Sequence, residues 1–262
     1  MGFWNRNNKK SLFKKGNDLF DQGKYNEALK CYEKVLEMDS NYSQVWFNKG
    51  NTFRQLGEYE NAINSYNKAI ELSPNYNSAW FNKGSTFGLQ GEFSKALECL
   101  NKTLVLDPDD PTTWFMKGLF LKEDEKYQEA LECFDKALKL DPKYVDAWLH
   151  KGNALNFLEQ YEESLKSLNI ALKLDPENSD IWISKCGVLG CMGKLDESIK
   201  CFDKRLKQDP GNARIWLVRG IIFKNFEKYQ EALESYEKAL ELKPDYENAL
   251  NYKNEVMELM NF

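Results

Sequence analysis

Apolar residues recur along the chain in pairs of helical stripes. In residues 43–76, Trp46, Gly50 and Phe53 have the i, i+4, i+7 spacing of one helix face. A second stripe follows Gly57 and comprises Tyr59, Ala62, Ile63, Tyr66, Ala69 and Ile70. The spacing predicts two helices, with Gly57 in a left-handed turn between them. The second helix is expected to end before Pro74, because proline cannot continue a helix.

This two-helix unit recurs every 34 residues, and a period of that length is typical of helix–turn–helix arrays. The register of Trp46 contains Leu12, Trp46, Trp80, Trp114, Trp148, Trp182 and Trp216. The register of Gly50 contains Gly16, Gly50, Gly84, Gly118, Gly152, Cys186 and Gly220. Because each unit buries its apolar face only against its neighbours, the pattern predicts an elongated core and no globular enzyme domain.

The repeated unit resembles the tetratricopeptide repeat (TPR) family. The pattern W-x₂-[KL]-G-x₂-[FYL], then Y-x₂-A-x₃-[FYL]-x₂-A, then proline recurs over seven copies with graded departures. The first copy has Leu12 for the tryptophan and Ser40 for the proline. The resemblance implies an all-α fold, an α-solenoid that forms a right-handed superhelix with a concave wall of first helices. The expected divisions are a leader at 1–8, repeats at 9–42, 43–76, 77–110, 111–144, 145–178, 179–212 and 213–246, and a capping helix at 247–262 that turns polar residues outward.

The sixth repeat departs most from this pattern. Cys186 replaces the glycine, Leu195 the tyrosine, and Ser198 and Arg205 two alanines. Glycines lower helix propensity by about 1 kcal/mol each, and this helix contains Gly187 and Gly190. The sixth repeat is therefore predicted to be the least stable one. In three other repeats the turn glycine is replaced, by Glu125, Glu159 and Glu227.

Composition argues against several function classes. The chain has 36 basic and 41 acidic residues, a net charge of −5, which disfavours nucleic acid and anionic membranes as partners. His150 is its single histidine, so no metal site with two histidine ligands is possible, and the sequence predicts no metal, no cofactor and no catalytic residues. The N-terminus lacks the apolar stretch of a signal peptide, which points to a cytoplasmic protein.

The six cysteines are expected to be reduced thiols. Cys31, Cys99, Cys133 and Cys201 share one register in different repeats, too far apart for disulfides. Cys186 and Cys191 lie five apart on one helix, roughly 140° around its axis. Neither arrangement predicts a bond, and small buried thiols are the simplest interpretation.

The helix face opposite Trp46 would line the concave groove implied by the family. The predicted peptide-binding residues are Asn17, Phe47, Asn48, Asn51, Arg54, Phe81, Asn82, Phe115, His150 and Asn153. An asparagine amide both donates and accepts, so it can pair with a peptide backbone of any sequence. The alternative is that the phenylalanines pack on the next repeat and the asparagines are solvated.

Two further patterns bear on the partner. Some TPR proteins hold a C-terminal carboxylate with lysines and asparagines, but Phe13, Ser78 and Asn82 stand where three basic residues belong, which disfavours such a tail. A basic register contains Lys15, Lys49, Lys83, Lys117, Lys151, Lys185 and Arg219. It is either an anion-binding row or, more simply, a set of stems that cover apolar surface.

The leading hypothesis is a protein–protein interaction scaffold that holds a peptide or partner segment in its groove. The alternatives are a self-assembling module and an anion or nucleic-acid binder that uses the basic register. The leader contains Phe3 and Trp4, which are expected to cover the first repeat or to dock in a neighbouring molecule and form homo-oligomers. A disordered terminus is the competing expectation for this segment.

Overall fold

The computed structural model describes residues 2–260, and the side chains of residues 8–260. Over these residues the secondary structure is entirely helical, with no strand. The chain divides into two compact units, Met1–Lys126 and Tyr127–Phe262, and each is described by itself. The predicted all-α fold class is confirmed.

The first unit contains seven helices. They are α1 (Gly2–Asp21), α2 (Tyr25–Met38), α3 (Ser43–Gln55), α4 (Tyr59–Leu72), α5 (Asn77–Leu89), α6 (Phe93–Leu106) and α7 (Pro111–Glu123).

The second unit contains eight helices. They are α8 (Tyr127–Leu140), α9 (Val145–Phe157), α10 (Tyr161–Leu174), α11 (Ser179–Cys191), α12 (Leu195–Gln208), α13 (Ala213–Asn225), α14 (Tyr229–Leu242) and α15 (Glu247–Met260). No helix in the described part of the chain combines the length and apolar character needed to cross a membrane.

The turn between α3 and α4 forms as its sequence predicts. Gly57 has φ +77°, its N–H donates to the Arg54 carbonyl at 3.1 Å, and the Glu58 N–H donates to the Phe53 carbonyl at 2.9 Å. This pair of bonds satisfies the last carbonyls of α3. In three other repeats Glu125, Glu159 and Glu227 adopt the same left-handed conformation, with φ of 58–59°. Such a φ is strained for a residue with a Cβ.

The most deeply buried register of the first helices differs from the predicted one. Val45, Ala79, Ala147, Ile181, Ile215 and Ala249, each one residue before the tryptophan register, are fully buried. The tryptophans are half-buried, and Trp46 and Trp80 donate their indole N–H to the carbonyls of Ser40 and Pro74 at 2.8 and 2.9 Å. A first helix packs against its own second helix and against neighbouring repeats, so its buried arc is wider than one stripe.

Close approach at the glycine register is confirmed. A Cβ built on Gly50 would lie 2.6 Å from the Tyr66 ring, and one on Gly16 would lie 2.6 Å from the Tyr32 ring. Real Cβ atoms do not approach a ring so closely, so each glycine allows the second helix of its repeat to lie against the first.

The predicted leader and the predicted capping helix differ in detail from the structure. The helix α1 begins at Gly2, so the leader backbone is continuous with the first helix, while the side chains of Phe3 and Trp4 lie outside the described residues. At the other end, α15 buries Ala249 and Val256. Its remaining surface is not purely polar as predicted, because Leu250 and Met257 are 48% and 44% exposed.

Candidate peptide-binding groove

Three predicted groove residues and one tyrosine form a hydrogen-bonded network in the first unit. The Oδ1 atom of Asn17 on α1 accepts the Tyr32 hydroxyl at 2.9 Å and the Nδ2 of Asn48 at 2.8 Å. Asn48 lies on α3, so this one oxygen joins the first helix of one repeat to its own second helix and to the next first helix. Such a network positions each amide more firmly than a solvated side chain would be held.

The same network occurs again one repeat later. The Oδ1 of Asn51 accepts the Tyr66 hydroxyl and the Nδ2 of Asn82, both at 2.8 Å. We call the two copies the asparagine–tyrosine network: Asn17, Tyr32 and Asn48, then Asn51, Tyr66 and Asn82. Sequence reasoning predicted these asparagines as separate groove groups, and did not predict that they bind one another.

The network determines which amide atoms remain available. Both lone-pair sites of the Asn17 and Asn51 oxygens are used, so these residues offer N–H donors. Asn48 and Asn82 each use one donor and keep a carbonyl oxygen. Among the described residues no hydrogen bond engages these remaining atoms. Asn17 and Asn51 thus present N–H donors only, whereas Asn48 and Asn82 each present a carbonyl oxygen together with one N–H.

Two cavities open beside the network. One of about 300 Å³ is lined by Asn17, Phe20, Asp21, Tyr32, Asn48 and Asn51. Asp21 was not among the predicted site residues, although it lies one helical turn after Asn17. The second cavity, of about 450 Å³, is lined by Phe47, Asn77, Ser78, Phe81, Asn82, Thr103, Asp110, Thr112 and Thr113.

The lining of the second cavity includes one ionisable residue, Asp110. The Asp110 carboxylate accepts from the Thr112 and Thr113 backbone N–H groups and caps α7, so its charge is already engaged. Phe47 and Phe81 are half-buried and supply aromatic surface. The Oδ1 of Asn77 is buried and has no hydrogen-bond partner among the described residues. The cavity thus combines two rings with unused amide atoms.

The other predicted groove residues have different environments. Phe115 is 7% exposed, so the prediction that it lines the groove needs correction: its ring is in the core. Arg54 is half-buried, and its Nε is buried without a partner among the described residues. His150 and Asn153 belong to the second unit, where His150 stacks on Phe134 with ring centroids 6.2 Å apart.

The buried tyrosines of the network have perturbed pKa values. Burial, opposed by hydrogen bonding, raises the pKa of Tyr32 and that of Tyr66 to about 12. Both hydroxyls therefore keep their protons, and remain donors to Asn17 and Asn51, throughout the neutral range.

Residues of the basic register contact aromatic rings and carboxylates within the protein. Ammonium groups lie over the tryptophan of the same helix, with Lys49 5.5 Å from the Trp46 ring centroid and Lys83 5.1 Å from that of Trp80. Lys49 also pairs with Glu33 at 3.2 Å, and Arg219 with Asp203 at 3.1 Å. Cation–π contacts and carboxylates of the preceding repeat hold these heads, which favours the simpler interpretation over an anion-binding row.

One expectation about the cysteines was wrong. Cys186 and Cys201 form a disulfide between α11 and α12, with Cα atoms 5.5 Å apart. Comparing cysteines only within one register or one helix missed this pair, which crosses two registers. The sequence did contain a signal, because the glycine register marks where the two helices of a repeat approach closely. In the third repeat a Cβ on Gly84 would lie 3.0 Å from the Cβ of Cys99, so these two positions face each other.

Arg205, a second departure of the sixth repeat, is also accommodated. It is 5% exposed in place of the usual alanine. Its guanidinium donates to the Glu177 carboxylate at 3.0 Å, the Glu177 carbonyl at 2.9 Å and Ser179 at 3.2 Å. Its Nε is buried without a partner among the described residues, so these bonds offset part of the penalty of burying the charge. No cluster of potential metal ligands occurs among the described residues.

Family models match most of the chain. A model described as TPR repeat matches residues 16–53 and 50–91. Models described as tetratricopeptide repeat match residues 78–110, 111–144 and 213–246, and residues 133–166. The sixth repeat, residues 179–212, lies outside these ranges. Comparison with curated protein sequences gave no significant match.

Solved structures with the same fold include a tetratricopeptide repeat protein from Parabacteroides merdae ATCC 43184. It shares 21% identity and a TM-score of 0.76, over 96% of this chain and 99% of that one. YrrB, described as a TPR protein with an unusual peptide-binding site, shares 29% identity and a TM-score of 0.53 over 72% and 97% of the two chains. MamA from Desulfovibrio magneticus RS-1 shares 21% identity and a TM-score of 0.62 over 64% and 96%.

Proposed function

The chain belongs to the tetratricopeptide repeat family, and we propose that it is a scaffold that binds an extended segment of a partner protein beside the asparagine–tyrosine network. The observation that carries this proposal is that the network leaves N–H donors unused on Asn17 and Asn51 and carbonyl oxygens unused on Asn48 and Asn82. TPR folds generally mediate protein–protein interactions, and the peptide-binding site named for YrrB agrees with this class of function.

The chemistry favours an extended peptide with apolar side chains. Such a backbone presents both N–H and C=O groups, and the unused amide acceptors and donors can pair with them whatever the peptide sequence is. The rings of Phe47 and Phe81 then receive apolar side chains in the cavity beside Asn82. Asp21, at the edge of the first cavity, adds a preference for a basic group at one end of the ligand.

The test is selection of peptides from a random display library on the full chain, followed by calorimetry of the selected peptides. We expect micromolar binding that weakens by about 5- to 150-fold in Asn48→Ala/Asn82→Ala, because two acceptors are lost at roughly 0.5–1.5 kcal/mol each. Phe81→Ala should weaken it by a similar factor.

The control is Tyr236→Phe, which removes a buried hydroxyl that lies outside the network and has no hydrogen-bond partner among the described residues. It should leave peptide affinity unchanged. If no peptide is selected, or if the double asparagine variant and Phe81→Ala bind as tightly as the unchanged protein, the groove assignment fails.

Self-assembly is a second candidate, favoured by the exposed apolar residues of α15. Leu250 and Met257 occupy the registers of Trp46 and Phe53, which are half-buried, yet are themselves 48% and 44% exposed. Light scattering on the full chain tests it. Concentration-dependent dimers that Leu250→Glu/Met257→Glu abolishes would support self-assembly, whereas a monomer at all concentrations would exclude it.

The remaining expectations also stay proposals. We infer a non-enzymatic protein without cofactor, located in the cytoplasm and not directed to nucleic acid. Binding that falls steeply with added salt would instead indicate a phosphate-containing partner, because phosphate contacts release counterions.

A further inference from the structure

The sixth repeat contains a disulfide where other repeats have a glycine. Cys186 occupies the glycine register of α11, and Cys201 lies opposite it on α12, fifteen residues later. The same two positions in the third repeat are Gly84 and Cys99, where no bond can form. The Cα separation of 5.5 Å is within the normal range for a disulfide, so the backbone of the repeat accepts the bond without rearrangement.

The two sulfurs differ in access. Cys186 is fully buried in a cluster with Phe202, Leu206 and Ile215, while Cys201 is half-buried at the margin of that cluster. A molecule from solution can therefore contact part of Cys201, whereas Cys186 is closed to it. Thiol–disulfide exchange requires such access to one of the two sulfurs.

Two basic residues are close in sequence to the two cysteines. The ammonium groups of Lys185 and Lys204 lie 5.6 and 5.3 Å from the same Trp182 ring centroid. Lys185 precedes Cys186, and Lys204 lies one helical turn after Cys201. Positive charge near a cysteine stabilises its thiolate, as a leaving group and as a nucleophile. Cys99, in the register of Cys201, is 4% exposed, and burial raises its pKa.

We propose that Cys201 is a site of reversible thiol–disulfide exchange with small thiols, and that its bond to Cys186 sets the stability of the sixth repeat. A small thiolate attacks Cys201 Sγ and forms a mixed disulfide. The Cys186–Cys201 bond breaks, and its electron pair leaves on Cys186 Sγ, which takes a proton from water. A second small thiolate attacks the small-thiol sulfur, releases the Cys201 thiolate, which is then protonated, and leaves as the small disulfide.

In the net reaction the protein gains two electrons and two protons, and two small thiols become one disulfide. The reverse reaction, with a small disulfide as oxidant, restores the bond. Cytosolic disulfides are usually transient, and a bond with one accessible sulfur fits such reversibility. In the reduced form, Cys186 still occupies the close-approach position without a covalent link, so α11 and α12 are expected to open more readily.

The test uses the full chain carrying Cys191→Ser, because Cys191 is exposed and would also react. Hydrogen exchange of residues 181–208 is measured in oxidised and in reduced glutathione. We expect exchange to be faster by up to the order of 100-fold after reduction, since closing a loop of about 15 residues constrains the unfolded segment by that factor. Amides of α3 and α4 should not change.

Two matched variants serve as controls. Cys186→Gly restores the residue of the other repeats and should make exchange independent of the glutathione state. Cys99→Ser removes a buried thiol of the same register and should keep the full response. Equal exchange rates in the two buffers, or a response that persists in Cys186→Gly, would overturn the proposal.

The site of attack has its own measurement. A limiting amount of reduced glutathione is added to the oxidised Cys191→Ser protein, the reaction is stopped with acid, and the mixed disulfide is located by mass spectrometry. We expect the adduct on Cys201. An adduct on Cys186, or none on either residue, would show that the assigned sulfur is not the reactive one.

Discussion

The first three repeats and the sixth join their helices by different chemistry at equivalent positions. In the first region Asn51, Tyr66 and Asn82 form one copy of the asparagine–tyrosine network. The same registers of the sixth repeat and the following helix contain Gly187, Phe202 and Val218, which cannot form it. There the Cys186–Cys201 bond and the Arg205 hydrogen bonds connect the helices. The hydrogen-bonded amides of the first region keep atoms that a ligand can bind. The disulfide and the apolar contacts of the sixth repeat offer no such atoms.

Tyr236 of the seventh repeat shows what the tyrosine does without its asparagine. It occupies the register of Tyr32 and Tyr66, but Ile221 stands where Asn17 and Asn51 stand in those repeats. Its hydroxyl is buried without a hydrogen-bond partner among the described residues, and burial raises its pKa. The hydroxyl thus contributes a bond only where a first helix supplies the amide.

The largest expected effect concerns the tryptophan of the first helix, which both regions contain. Trp46→Ala and Trp182→Ala should each lower the free energy of unfolding by about 3 kcal/mol, because a large packed ring is lost in both. Each indole also donates to a carbonyl of the preceding loop at 2.8 Å. Chemical denaturation measures both variants. A loss below about 1 kcal/mol in either one would mean that the tryptophan is peripheral in that repeat.

Replacing a glycine by alanine should change stability in opposite directions in the two regions. Gly50→Ala is expected to cost roughly 1–3 kcal/mol, because its Cβ would lie 2.6 Å from the Tyr66 ring. Gly187→Ala should stabilise by about 0.5–1 kcal/mol, because nothing lies within 4 Å of its Cβ position and alanine is the better helix former. Thermal unfolding in a constant redox buffer compares them. If both substitutions changed stability in the same direction, the packing described for these two glycines would be wrong.

The hydroxyl contribution is tested by two identical substitutions. Tyr66→Phe should cost about 1 kcal/mol, since Asn51 loses a donor. Tyr236→Phe should be neutral or slightly stabilising, because it removes a buried hydroxyl without a partner. Denaturant titrations of both variants give the difference directly. A larger loss for Tyr236→Phe would show that its hydroxyl has a partner that we have not identified.

The same tyrosines predict an alkaline dependence of stability. Their pKa is about 12 in the folded chain and about 10 when unfolded, so the unfolded state loses these protons first. Stability should be constant below pH 10 with respect to these groups and fall between pH 10 and 12. Denaturation at several pH values measures this, and Tyr32→Phe/Tyr66→Phe should reduce the slope. An unchanged slope would remove these tyrosines as its cause.

The smallest effect concerns turns. Glu227→Gly should stabilise by about 0.5–1 kcal/mol, because Glu227 has φ +58° and glycine adopts this conformation without strain. The reciprocal change, Gly57→Ala, should destabilise by about 1 kcal/mol at φ +77°. Thermal unfolding compares the pair, and a destabilising Glu227→Gly would mean that the glutamate side chain contributes more than the strain costs.

The period, the helices and the turns followed from the sequence alone. Gly57, Gly50 and Pro74 act through local backbone geometry or through the partner one helix away, so a single repeat contains all the information needed to predict their roles. The sequence likewise identified Asn17, Asn48, Asn51 and Asn82 as polar groups on one face. It could not decide between binding and solvation for them, because that depends on distances between side chains of successive repeats.

The tertiary structure decided which side chains meet. It bonded asparagines of successive repeats to each other, with a tyrosine hydroxyl on each shared oxygen. It also buried the ring of Phe115 and placed Cys186 opposite Cys201. Each of these outcomes depends on how two helices are rotated and spaced against each other, to within an ångström or two. A register repeated every 34 residues specifies that two helices pack, whereas the side chains between them specify which atoms come within bonding distance.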